Sequence, residues 1–198
     1  MLVRHGQSTA NAEGRLLGRT DSPLTPAGEA QARAVGEALA TTTVLELRSS
    51  PLERARHTAA ALGTSRPVVV DDRWVEVDYG VHEGQVLGDV PAEVWRQWRT
   101  DPDYRAEGGE TLGEVTARVA GACQELFARR GEGARADDGD VVVVSHVSPI
   151  KAAVAWALGG GHDLAFRLHL STGSITRLGW GPSGPVLETF NEVPPGGG

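Results

Sequence analysis

Three short stretches of the chain set polar, ionisable residues directly behind an apolar run. "MLVRHG" ends in Arg4, His5 and Gly6. "VLELRSS" ends in Arg48, Ser49 and Ser50, with Arg54 and Arg56 just after, and "DVVVVSH" ends in Ser145 and His146. Singly, each is ordinary: a histidine behind a strand, two arginines on a helix, and a serine before proline that either caps a helix or serves a site. Together they give two imidazoles and several guanidiniums at the same kind of position. Two histidines without a nearby cysteine do not have zinc-site spacing. Arginines suggest an anion, because the guanidinium fork matches phosphate oxygens.

A neutral histidine is a competent nucleophile near pH 7. The chemistry suggested is therefore phosphoryl transfer to an imidazole nitrogen. Arg4 and Arg54 would neutralise the equatorial oxygens, and the second histidine would donate a hydrogen bond to them. Helix starts at Pro51 and Pro149 would add backbone N–H donors. The leaving oxygen also needs a proton, and "RWVEVDYGVHEG" offers Glu76, Asp78 and Glu83. In an extended segment Glu76 and Asp78 share a face, so spacing alone leaves the choice between them open.

These residues need a scaffold that brings strand ends together. "MLV", "TVLELRSS", "PVVV" and "DVVVV" read as strands, and the run of four valines marks a fully buried one. Between them, "TPAGEAQARAVGEALA" reads as a helix with Thr25 as N-cap and Pro26 at its first position. "PLERARHTAAALG", "DVPAEVWRQWRTDP", "EGGETLGEVTARVAGACQELFARR" and "SPIKAAVAWALG" follow as helices. "GQSTANAEGRLLGRTDSPLTP" has no helical period and reads as one long loop, of a length that is usually functional. "GARADDG" reads as a turn, "LAFRLHLSTGSITRLGWG" and "VLETFNEV" as late antiparallel strands, and "PPGGG" as a frayed tail. Strands alternating with helices predict an α/β fold, a single-domain three-layer α/β/α sandwich with a mostly parallel central sheet. Ligands of such sheets bind beyond the carboxyl ends of the strands. The domain is expected over residues 1–193, with 194–198 as tail.

The remaining composition narrows the partners. The net charge of −7 argues against nucleic acid or anionic membrane as a partner. A few arginines can still line one cleft. The single cysteine, Cys123, permits no intrachain disulfide and falls at an apolar helical position. No stretch has the ~18 apolar residues of a membrane span, and no signal segment is visible. A cytoplasmic protein, monomer or homodimer, is expected. Trp95 and Trp98, spaced i,i+3, are expected in the core rather than lining the cleft.

The motifs "LVRHGQSTAN", "GRTDSPLTPAGEAQA", "SSPLERARHTA", "VEVDYGVHEG", "EGGET" and "VVVSHVSPIK", in this order, resemble the histidine phosphatase superfamily. Its branches include the cofactor-dependent phosphoglycerate mutases and the broad-specificity acid phosphatases. The resemblance runs from residue 2 to about residue 180 and implies a phosphoglycerate mutase-like fold. It implies His5 as the nucleophile that becomes phosphohistidine, with Arg4, Arg54 and His146 completing the phosphate pocket. It selects Glu76 as proton donor and Asn11 as a loop residue contacting the transferred group. Gln7, Ser8 and Thr20 are implied as pocket residues, and Glu83 as a structural anchor beside the site. Val147 stands where the family usually has glycine and is expected to contact substrate. His82 stands where many relatives have tryptophan. The short segment between Glu76 and "EGGET" favours a phosphatase over a mutase. The reading is a phosphomonoester hydrolase acting on a small phosphorylated metabolite, without metal or other cofactor. Its rivals are a phosphoglycerate mutase and a phospho-ligand binding module without turnover.

Overall fold

The computed structural model describes residues 1–130 and 139–196. The turn expected over "GARADDG" falls outside them except for Gly139, as does the end of the "PPGGG" tail. Six strands form one sheet in the order β3-β2-β4-β1-β5-β6. They are β1 (Leu2–Arg4), β2 (Val44–Ser49), β3 (Val68–Val70), β4 (Asp140–Ser145), β5 (Ile175–Gly181) and β6 (Gly184–Glu192). The first four run parallel, whereas β5 pairs antiparallel with β1 and β6 with β5. This is the expected α/β sandwich with a mostly parallel sheet.

The alternation of side chains along β1 and β4 explains the three layers. Leu2 and Val143 face one way, onto Val115, Val119, Ala122 and Cys123 of α5 (Leu112–Arg130) and Ile150, Ala152 and Ala153 of α6 (Val147–Ala157). Val3, Val142 and Val144 face the other way. They meet Val35 of α2 (Pro26–Ala38) and Ala55 and Ala59 of α3 (Glu53–Ala61). Cys123 is thus a small core residue, as its position in the sequence suggested. Thr25 caps α2 by accepting from the Gly28 N–H at 3.0 Å, with Pro26 at the first helical position.

Three local expectations are corrected. The long loop contains a short helix, α1 (Thr9–Ala12), held by a capping box in which Ser8 and Asn11 bond reciprocally. Four residues are too few to show a helical period, so only the Ser-x-x-Asn cap could have announced it. The late strand begins at Ile175 rather than near Leu164, because His162–Arg167 form a 3-10 turn. Finally, α6 begins at Val147, two residues before Pro149, and α3 begins at Glu53, two residues after Pro51.

The exit of β1 is interlocked with the first turn of α2. A Cβ on Gly6 would lie 2.2 Å from the Gly28 carbonyl oxygen, and one on Gly28 would lie 2.0 Å from that of Gln7. Both neighbours are backbone and cannot step aside. Gly6→Ala is therefore expected to destabilise by about 1–3 kcal/mol, the usual range for overpacking. Gly121→Ala, where nothing lies within 4 Å of the new methyl on helix α5, is expected to stabilise by up to ~1 kcal/mol. Urea unfolding of the two variants checks both signs.

Candidate active site

Pairing places Arg4 beside Ser145, and Ser49 beside Val144. The ends of β1, β2 and β4 therefore meet, and the sequence motifs they carry converge. His5 is buried, and its Nδ1 lies 2.7 Å from the Gly6 carbonyl oxygen. A carbonyl only accepts, so Nδ1 carries the ring proton and Nε2 presents a lone pair. The Arg54 Nε–H donates towards that Nε2 at 3.3 Å. Burial, followed by the charges of Arg54 and Arg4, holds the His5 pKa well below 6.5.

Arg54 is 1% exposed, and among the described residues no carboxylate is in hydrogen-bond contact with it. Its terminal nitrogens donate to the Thr20 carbonyl at 2.9 Å and the Gly18 carbonyl at 2.7 Å. Arg4 donates to the Leu170 carbonyl at 2.6 Å, while its Nε is buried without a partner. Burial pushes the Arg4 pKa down to about 10, with Glu76 opposing and Arg54 reinforcing the shift. His146 lies 5.0 Å from His5 between ring centroids. Its Nε2 is 2.7 Å from the Ser50 hydroxyl, and its Nδ1 is buried without a partner. Ser50 also accepts from the Leu52 N–H at 3.3 Å, and its hydroxyl can pair with either tautomer of His146. Burial comes first and the Arg54 charge second in holding the His146 pKa well below 6.5.

Glu76, 4% exposed, accepts at Oε1 from the Val77 N–H at 2.8 Å and the Ser148 N–H at 3.2 Å. Arg118, which the sequence did not single out, secures this segment by donating to the Arg73 and Glu76 carbonyls at 2.7 and 3.3 Å. Asp78 turns elsewhere. It accepts from the Gly80 N–H and faces Arg19, outside the cavity lining. Geometry thus separates the two carboxylates that spacing could not.

Arg4, His5, Arg54 and Glu76 line one end of a cavity of about 320 Å³. Asn11 and Val147 also line it. The side chain of Gln7 points instead to the Thr25 hydroxyl, and Thr20 contributes backbone, its N–H bonding Glu83 and its carbonyl receiving Arg54. Glu83 is the anchor expected, because it accepts from the N–H groups of Arg19, Thr20 and Tyr79. It thereby fixes the loop whose carbonyls hold Arg54. Arg48 belongs to a separate ion-pair cluster with Glu46, Asp71 and Glu125, and Arg56 is exposed. Trp98 resolves the core-or-cleft alternative both ways. It is buried against Trp95, Tyr104 and Tyr79 and also lines the cavity, as does Trp95. His82 packs edge-on against Trp98, outside the lining. Among the described residues, no three His, Cys, Asp or Glu side chains gather as a metal site requires.

The arrangement can receive one tetrahedral anion, with an imidazole lone pair facing it and a carboxyl across from it. A family model described as the histidine phosphatase superfamily (branch 1) matches residues 1–193. The chain belongs to that superfamily. A probable phosphoglycerate mutase of Klebsiella pneumoniae is 36% identical over 208 residues, covering 97% of this chain and 92% of the relative. A bifunctional protein of Mycobacterium tuberculosis is 36% identical over 182 residues, 89% of this chain. The chain spans about half the length of that relative, 48%. The solved structure of a mycobacterial glucosyl-3-phosphoglycerate phosphatase in complex with VO3 superposes with a TM-score of 0.84 at 32% identity. It covers 96% of this chain and 97% of its own. No described helix is long and apolar enough to cross a membrane.

The two buried imidazoles make a prediction about stability and pH. Their folded pKa values lie below the unfolded value of 6.5. Below that pH the unfolded chain binds more protons, so stability is fully present above about pH 6.5 and is lost as pH falls. Unfolding is expected to take up close to one extra proton per histidine in that window. His146→Asn should remove one of the two, read from the pH dependence of the urea midpoint.

Proposed function

We propose that this protein is a metal-independent phosphomonoester hydrolase that works through a phosphohistidine at His5. One observation carries the reading: the Nδ1–H bond to the Gly6 carbonyl leaves the His5 Nε2 lone pair beside Arg54, in a cavity that Arg4, with its Nε buried and unpartnered, also lines. Nε2 attacks phosphorus and forms the P–N bond as the ester P–O bond breaks. Glu76, as the acid, gives its proton to the departing alkoxide. Water then attacks phosphorus, its proton passes to Glu76, and the P–N electron pair returns to Nε2 as inorganic phosphate leaves. Arg4, Arg54 and His146 hold the equatorial oxygens, whose charge grows in each step. Asn11 and Val147 border the group transferred and the alcohol.

Among the described residues the site's cations come without a cluster of metal-ligating side chains, which supports an activity indifferent to chelators. The relatives' names, glucosyl-3-phosphoglycerate phosphatase and phosphoglycerate mutase, support a small phosphorylated metabolite as substrate. The segment between Glu76 and Glu110 adds to the cavity wall only Tyr79, Leu87, Trp95 and Trp98. That supports water over a second alcohol as acceptor.

His5→Ala is expected to abolish turnover and acid-labile, base-stable phosphate labelling while keeping the fold. Label on another residue with His5 unlabelled overturns the assignment. Glu76→Gln should slow hydrolysis of an alkyl phosphate by about 10²–10⁴-fold. It should slow that of a nitrophenyl phosphate far less, because its leaving oxygen needs no proton. If Asp78→Asn shows this leaving-group dependence instead, the acid is misassigned. Full activity in EDTA is expected, and loss of activity restored by a divalent metal contradicts the metal-independent mechanism.

A further inference from the structure

Lys151 is the only lysine in the chain; every other member of the 19 lysines and arginines is an arginine. That single ammonium lines the cavity. It stands on α6 with Ser148, Ala152 and Ala155, the i, i+3, i+4 and i+7 pattern of one helical face. It is half-buried, and among the described residues it makes no hydrogen bond or ion pair. Arg4 and Arg54 belong to the phosphate pocket, and two further cations near this cavity are engaged by carboxylates. Arg15 at the rim is held by Glu13 at 2.6 Å and the Gly84 carbonyl at 2.9 Å, and Arg118 is held by Glu110 at 2.9 Å. Glu76, the one carboxylate in the lining, already accepts from two backbone N–H groups. Burial and the nearby Arg4 lower the Lys151 pKa, with Glu76 opposing. The walls around it are largely apolar, including Leu16, Leu112, Val115, Trp98 and Phe166.

An unpaired ammonium in an apolar cavity needs an anion to offset its desolvation. A single compact charge, without the fork of an arginine, suits a monoanionic carboxylate better than a phosphate dianion. Lys151 lies three residues beyond Ser148, about 4.5 Å along the helix, and the Ser148 N–H holds Glu76. The ammonium is therefore on the leaving-group side of the phosphate pocket.

We propose that Lys151 forms a second anion subsite, binding a carboxylate on the leaving alcohol of the substrate about one helical turn from the phosphoryl group. The proposal rests on the phosphatase reading of the His5 site and narrows its substrates to carboxylated phosphomonoesters.

The test compares the phosphate esters of 3-hydroxypropanoate and 1-propanol, with propane-1,3-diol bisphosphate as a third substrate. The carboxylated ester is expected to exceed the propyl ester by roughly ten- to a hundredfold in kcat/KM, the range of a charge-assisted hydrogen bond. That ratio should collapse towards one in Lys151→Met. A separate arm needs no turnover. Reductive ¹³C-methylation of the full chain labels one ε-amine beside the α-amine. 4-Phosphonobutanoate should shift the ε-amine resonance, whereas butylphosphonate should not. Equal kcat/KM for the first two esters, unchanged in Lys151→Met, overturns the subsite and leaves the phosphatase intact. Preference for the bisphosphate overturns the carboxylate. If no ester is hydrolysed, the phosphatase reading falls, and the resonance shift alone decides whether Lys151 binds a carboxylate.

Discussion

Two guanidiniums buried on main-chain carbonyls, with no carboxylate in direct contact, are the constraint on which the site turns. Arg4 leans on Leu170, and Arg54 on Gly18 and Thr20. A carbonyl dipole satisfies a donor without cancelling its charge. Each arginine therefore keeps a field that acts on its neighbours, and both imidazoles are held neutral in part by it. A neutral imidazole is what nucleophilic attack needs, because the protonated ring has no lone pair to offer. The same field is what a phosphate dianion meets on entering. The cost of burying these cations and the affinity for the substrate's oxygens thus have one origin, uncompensated positive charge in a dry pocket.

Holding that charge in place accounts for features otherwise hard to explain. Glu83 receives three backbone N–H groups and so fixes the loop that supplies Gly18 and Thr20. Gly18 has no room for a Cβ, which would lie 2.0 Å from Glu83 Oε1. The "EGGET" motif acts through backbone as well. Gly80, at φ +55°, packs so closely that a Cβ would sit 2.1 Å from the Glu107 carbonyl, and the Glu110 N–H bonds the Asp78 carbonyl at 2.9 Å. Glu110 also grips Arg118, which holds the carbonyls of Arg73 and Glu76. The segment around Glu76 has no regular structure, and these contacts replace the ladder that a strand would have provided.

What was legible in the sequence follows from this division. Residues carried by regular strands could be placed, because a buried valine run ends where the sheet ends. Arg4, His5, Ser145 and His146 needed only the rule that parallel strands present their carboxyl ends together. Arg54 was legible as part of a motif, but its partners were not, since main-chain carbonyls of a distant loop leave no mark in composition. Glu76 and Asp78 could not be separated by spacing. The choice depends on a 3-10 turn at Asp72–Trp74 and on Arg118, some forty residues away. Lys151 was overlooked for a different reason: in "SPIKAAVAWALG" it reads as one polar residue on an apolar helix, a position usually facing solvent.

Helix α6 shows why Lys151 lines the cavity instead. Ile150, Ala153, Val154 and Ala157 are buried in the core, which is the ordinary apolar stripe of a helix packed on a sheet. The adjoining face, Val147, Ser148, Lys151 and Ala155, lines a cavity bounded on its other sides by α5, the Trp95–Trp98 turn of α4 (Ala92–Thr100) and the 3-10 segment at His162–Arg167. One helix therefore supplies core on one side and the wall of the site on the other. Its first turn joins the two, since the Ser148 N–H reaches Glu76 while His146, the residue before the helix, reaches Ser50 at the end of β2. A small rotation of α6 would shift Glu76, His146 and the Lys151 ammonium together. The alanines that let α6 pack closely on the sheet thus also fix the spacing among these three groups.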